Sequence, residues 1–147
     1  MFVERMLPAA SKRLVTIKDD APVIEAAKLL LDCHAELLVV CGNDELVAGV
    51  ITKTDVVRQM SVCQGSGCTM ASSSIMRRTV VHCQPTDVLQ NVWSVMKDRG
   101  LKNLPILDRD LRPIGVLNAR DALEVLREEV EYEEVLLRDY VMCVGWH

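Results

Sequence analysis

An α/β fold of two similar half-modules, related by pseudo-twofold symmetry, is predicted by three features of this sequence. The chain has 147 residues, enough for one ordinary domain or for two half-size units that share a core. Half of its residues are hydrophobic but only 3% are aromatic, so the core must be built from Val, Leu, Ile, Ala and Met, and extensive disorder is excluded. The chain also aligns with itself without a gap at an offset of 66 residues, 15–57 onto 81–123.

Few positions are identical across that offset: Val15/Val81, Asp32/Asp98, Leu38/Leu104, Asp44/Asp110, Gly49/Gly115, Val50/Val116 and Asp55/Asp121. The order of elements carries more weight, because each copy reads as an apolar strand, an amphipathic helix, a hairpin of two apolar strands and a second helix. In the first copy Leu14, Val15, Thr16 and Ile17 are strand-like, and Asp19, Asp20, Ala21 and Pro22 carry helix-start chemistry. A helix is expected over 22–32, with Val23, Ala26, Ala27, Leu30 and Leu31 forming one buried stripe. The apolar runs 37–41 and 46–51 flank Gly42, Asn43, Asp44 and Glu45, a turn that makes the two strands antiparallel. The second copy repeats the plan. Pro85, Thr86 and Asp87 precede a stripe of Val88, Leu89, Val92, Val95 and Met96, and strands over 104–107 and 114–117 flank Asp108, Arg109 and Asp110. Neither copy alone closes a core, whereas two stacked copies bury both stripes against both sheets.

Between the copies, Gln64 to Gly67 and Ala71 to Ser74 are small and polar, a flexible connection; Gly65 and Gly67 lack the Lys-Ser or Lys-Thr that completes a phosphate-cradling loop. The organisation read from this is a first repeat with its lead-in over 1–62, a linker over 63–74, and a second repeat with a C-terminal helical extension over 75–147. In that extension one long helix is expected over 121–140, with Leu123, Leu126, Val130 and Leu137 on one side and a solvated acidic face on the other.

Composition narrows the function. Seventeen basic against 21 acidic side chains, a formal charge of −4, supply no positive field for nucleic acid. The longest apolar run, 37–41, is far short of the roughly 20 residues of a membrane span, and the first residues begin no signal peptide. A soluble, cytoplasmic protein is expected. The six cysteines lack the spacing of zinc knuckles and are expected to be thiols, with no metal site. No activated nucleophile or Ser-His-Asp set is present and His34, His82 and His147 are scattered, so no catalytic activity is expected.

The chemistry-bearing motif occurs twice. Gly49-Val50-Ile51-Thr52-Lys53-Thr54-Asp55 and Gly115-Val116-Leu117-Asn118-Ala119-Arg120-Asp121 each run a strand into a hydroxyl or amide side chain, with an Asp three residues later in the first turn of a helix. One interpretation is helix capping. The other is a ligand site, since free helix N–H groups attract phosphate and a carboxylate accepts two hydrogen bonds from a ribose diol.

With this doubled motif, the lead-in Ile75-Met76-Arg77 and the strand Leu104-Pro105-Ile106-Leu107-Asp108, the sequence over roughly residues 10 to 125 resembles a tandem pair of cystathionine-β-synthase (CBS) domains, a Bateman module. The resemblance implies two clefts, each able to hold an adenosine-containing regulatory ligand such as AMP, ADP, ATP, S-adenosylmethionine or NAD, with no cofactor required. It assigns Asp55 and Asp121 to the ribose hydroxyls and Thr52 and Asn118 to the ribose-phosphate junction. Backbone groups at Val39, Val40, Leu104, Pro105, Ile106, Val15, Thr16, Val81 and His82 cover the adenine. The two clefts differ: Lys102 and Arg120 flank the second, with Lys12 and Arg13 approaching from the first copy's lead-in. The corresponding positions of the first are Glu36 and Thr54, with positive charge from Lys53 or from Arg77 and Arg78. Asn118 departs from the family's Ser or Thr, and Val39 from the Pro seen at Pro105. On its flanking positive charge the Asp121 cleft is placed first. The resemblance also implies a homodimer, and the function expected is a sensor read by an effector protein. The alternative is a ligand-free homodimeric interaction scaffold.

Overall fold

The computed structural model describes residues 1–62 and 69–145, with side chains to residue 138. Gly65, Gly67, Cys63, Cys68 and Trp146 therefore lie outside the described residues. The chain begins with a 3-10 turn, Val3–Met6, and helix α1, Leu7–Arg13. The first copy follows as β1 (Thr16–Lys18), α2 (Val23–Asp32), β2 (Leu37–Cys41), β3 (Val47–Thr52) and α3 (Lys53–Val62). The second has α4 (Leu89–Arg99), β4 (Asn103–Leu107), β5 (Pro113–Asn118) and the long helix α5 (Ala119–Gly145).

In the first copy β1 runs parallel to β2, which pairs antiparallel with β3; β4 and β5 form the matching hairpin of the second. The duplication extends to backbone conformation. Both hairpins carry an irregularity at the same place, Val40/Cys41 and Ile106/Leu107, and both turn through a left-handed residue, Glu45 at φ 63° and Leu111 at φ 64°. Both long helices of the copies end likewise, at His34 (φ 51°) and Gly100 (φ 66°), 66 positions apart.

The expected lead-in strand of the second copy is reduced to one bridge, Cys83 to Ile106, and two prolines explain why. In the first copy Val39 N donates to Val15 O and Asp19 N donates to Cys41 O, both at 3.0 Å. The corresponding residues are Pro105 and Pro85, which have no N–H to give. Two stripe positions also differ from expectation. Leu31 is 74% exposed and Val95 is 40% exposed, so neither belongs to the buried face of its helix.

The two lead-ins exchange places. Val3, Met6 and Ala10, from before the first copy, pack among Leu89, Met96, Leu104, Ile106, Leu117 and Ala122 of the second. Ile75 and Met76, from before the second copy, pack against Ile17, Ala26, Leu38, Val40 and Ile51 of the first. A third cluster of Leu37, Val39, Val50 and Val116 joins the two sheets. The final part of the expected linker is ordered as a 3-10 turn, Ser72–Ser74, with Ser72 fully buried and its N and Oγ both donating to Ala21 O at 2.7 Å.

On helix α5 Ala122 and Leu126 are buried and Glu129 is half-buried, whereas Val130 and Leu137, expected on the same face as Leu126, are exposed. Among the described residues, no helix is long and apolar enough to cross a membrane.

Candidate functional site

The two glycines shared by the repeats set the geometry of both candidate sites. A Cβ on Gly49 would lie 2.6 Å from the carbonyl oxygen of Arg77, and one on Gly115 would lie 3.1 Å from the backbone of Ala10. At Gly49 only a residue without a side chain lets the opposite lead-in cross the strand so closely, while at Gly115 a side chain would press the lead-in back by a few tenths of an ångström. At the first crossing Val50 and Arg77 exchange backbone hydrogen bonds at 3.1 and 2.8 Å. Each crossing then delivers an arginine to the other copy's carboxylate: Arg77 to Asp55 and Arg13 to Asp121.

The pairs differ in what else they touch. Asp55 has a side chain only 4% exposed. Its Oδ2 accepts from Thr52 N (3.0 Å) and Thr52 Oγ1 (3.1 Å), its Oδ1 accepts from Arg77 Nε (3.1 Å), and its own N donates to Thr52 Oγ1 (3.3 Å). This is a reciprocal cap on α3 with Arg77 on its far side and Arg58 Nη1 4.0 Å from Oδ1. Asp121 is more open, at 29% side-chain exposure. Both Arg13 Nε (3.1 Å) and Arg13 Nη2 (2.8 Å) donate to its Oδ2. Here the cap is made by Asn118 alone, whose Oδ1 accepts from Arg120 N (3.0 Å) and Asp121 N (3.2 Å).

Asn118 also reaches across the hairpin. Its Nδ2 donates to Asn103 Oδ1 (3.2 Å), and Asn103 Nδ2 donates to Glu36 Oε2 (2.8 Å), which ties the second copy's cap to the residue preceding the first copy's β2. Lys102 joins the same end of the sheet, its carbonyl accepting from Ala119 N at 2.9 Å. Asp121, Asn118, Arg120 and Lys102 are thus brought together, with Arg13 from the lead-in. Asn103 is a member that sequence reasoning missed; its signal was a polar residue opening an otherwise apolar strand.

The residues expected to cover an adenine lie on the paired strands and the lead-ins to them. Val39 is fully buried between the sheets, and its N–H and the Val15 carbonyl are spent on each other. Pro105 is buried and its carbonyl accepts from Cys83 N at 3.1 Å. Val80 is packed on the inter-sheet cluster and Val81 on the second core, while the exposed His82 ring lies 3.3 Å from Val80 O through Nδ1. A cleft of about 860 Å³ opens at the far end of β1 and β2, between Lys18, Glu25, Asn43, Glu45 and Arg112; of the expected residues it meets Thr16 alone.

Comparison with known proteins fits this architecture. The CBS domain family profile matches residues 4–62 and 72–128. A homoserine O-acetyltransferase of Methanohalobium evestigatum is 23% identical over 115 residues, 78% of this chain but 22% of that protein, so the chain spans about a fifth of the length of that relative. Among solved structures, the CBS-domain containing protein ATU1752 from Agrobacterium tumefaciens superposes with a TM-score of 0.73 at 23% identity, covering 85% of this chain and 98% of that one. The CBS domain pair of protein MJ0100, solved with 5'-methylthioadenosine and S-adenosyl-L-methionine, gives 0.73 at 20% identity, covering 88% and 98%. CBSX2, solved with AMP, gives 0.73 at 16% identity, covering 86% and 96%.

Proposed function

The chain belongs to the CBS domain family, and from that premise we propose that it is a regulatory module that binds an adenosine-derived small molecule beside Asp121 and signals its presence to an effector protein. The observation that carries this proposal is the partly exposed junction at which the first copy's Arg13 meets the second copy's Asp121 at the start of α5. A ligand there touches both copies, so its binding changes how one copy is held against the other. The molecules named with MJ0100 and CBSX2 all contain adenosine. In this proposal Asp121 takes the ribose hydroxyls, Asn118 lies at the ribose-phosphate junction, and Lys102 and Arg120 flank the phosphate. Asp55 and Thr52 serve as a structural cap, so one ligand binds per chain. The module needs no cofactor and catalyses nothing itself.

Hydrogen bonds to a charged acceptor contribute about 1.5–3 kcal/mol, so Asp121→Ala is expected to weaken binding of the preferred nucleotide by roughly ten- to 150-fold without unfolding the chain. Calorimetric titration with AMP, ATP, NAD and S-adenosylmethionine tests this, and a variant that binds like wild type would remove Asp121 from the site.

A second reading, a homodimeric scaffold, draws on apolar side chains left on outer helix faces: Leu31 at 74%, Val57 at 66% and Val62 at 68% exposed. Silence across the nucleotide panel together with a dimer mass in analytical ultracentrifugation would favour it.

A further inference from the structure

Resting on the ligand-binding proposal, we infer that Arg13 determines the chemical class of ligand: it holds Asp121 and yields that carboxylate only to an adenosine derivative carrying its own phosphate, which the guanidinium then takes. A ribose diol engages a carboxylate through both oxygens, and Asp121 Oδ2 is already claimed by two charge-assisted bonds from Arg13 Nε (3.1 Å) and Nη2 (2.8 Å). A neutral hydroxyl is a weaker donor than a guanidinium, so displacement of Arg13 by the sugar alone is unfavourable. A phosphate reverses the balance because it matches the planar fork of the guanidinium as well as a carboxylate does.

The structure favours such an exchange at Asp121 and opposes it at Asp55. Arg13 is the last residue of α1 and 45% exposed, so its head turns without leaving a packed core. At the other crossing, Asp55 is 4% exposed, bound to Thr52 and 4.0 Å from Arg58 as well as paired with Arg77, so a sugar would have to displace several donors from a buried carboxylate. Lys12, Lys102 and Arg120 are exposed and belong to no ion pair among the described residues. Their charge favours a phosphate and opposes the sulfonium of an S-adenosyl ligand.

Titrating AMP, adenosine and S-adenosylmethionine into the full chain and its Arg13→Ala and Arg13→Lys variants tests the exchange. Wild type is expected to bind AMP at least about tenfold more tightly than adenosine. Arg13→Ala is expected to bind adenosine more tightly than wild type and AMP less tightly, bringing the ratio near one. Arg13→Lys, which keeps the charge but loses the fork, is expected to give an intermediate ratio. If Arg13→Ala leaves both affinities unchanged or weakens both alike, or if Arg13→Lys keeps the full wild-type ratio, the exchange is overturned while ligand binding stands. If folded wild type binds none of the three, the ligand-binding proposal falls and the exchange falls with it.

Discussion

At Asp55 a single buried carboxylate caps α3 through Thr52 and receives Arg77 from the opposite copy, so its charge is tied to stability. Asp55→Asn removes the negative partner of Arg77 and weakens the cap, and is expected to cost about 1–3 kcal/mol in urea unfolding while leaving AMP affinity within about twofold. A variant of wild-type stability that no longer binds AMP would exchange the roles of the two aspartates. A second residue-scale effect concerns Cys83, buried in the second copy's core with Leu104 and Ile106. Burial, and then the nearby charge of Asp87, push its thiol up from 9.0 to about 12. The folded state therefore retains a proton that the unfolded chain loses above pH 9, and the unfolded state binds fewer protons in that window. Stability is accordingly unaffected by this group below pH 9 and falls as pH rises from about 9 towards 12. Comparing urea midpoints of wild type and Cys83→Ala at pH 7 and pH 10 tests this: the alanine variant should lose less on going to pH 10. An equal loss in both would assign the alkaline fall to other groups.

At the scale of elements, the crossings at Gly49 and Gly115 carry the architecture, and they differ in tightness. The added Cβ of Gly49→Ala meets Arg77 O at 2.6 Å and Met76 S at 2.8 Å, whereas that of Gly115→Ala meets Ala10 at 3.1 Å. Overpacking of this kind costs about 1–3 kcal/mol, so Gly49→Ala is expected near the upper end and Gly115→Ala near the lower, read as the shift in denaturation midpoint. Equal costs would mean that the second lead-in moves aside as freely as the first. These glycines were visible in the sequence as identities across the 66-residue offset, and so were both hairpins and both helix stripes, because period and turn chemistry are local properties. The missing strand before α4 was not visible by that route, since it depends on which partner N–H groups Pro85 and Pro105 withhold across the sheet. The exchange of lead-ins was equally hidden. Val3, Met6 and Ala10 are apolar enough for either core, and only the crossing at Gly115 assigns them to the second. At the site, Arg13 was read as approaching the second cleft, but not as the partner of Asp121, because an ion pair 108 residues apart in sequence leaves no local trace. Asn103 was overlooked for the same reason: its partners Asn118 and Glu36 lie in different copies.

For the whole molecule, exchanged lead-ins mean that neither copy has a complete core without a segment that precedes the other, so the two are expected to unfold together rather than in sequence. A ligand at the Asp121 junction touches Arg13 from one lead-in and α5 of the second copy, and so stabilises this one cooperative unit. Binding only to the folded state adds about 2.7 kcal/mol at a hundredfold excess over the dissociation constant, and for a chain of this length that is roughly a 5–10 °C rise in melting temperature. Scanning calorimetry with and without AMP is expected to show one transition that moves upward as a whole. Asp121→Ala should shrink the movement to about half or less at the same AMP concentration, and Asp55→Asn should retain it from a lower starting temperature. Two transitions, of which AMP raises only one, would show that the copies unfold separately and that the exchanged segments do not couple them.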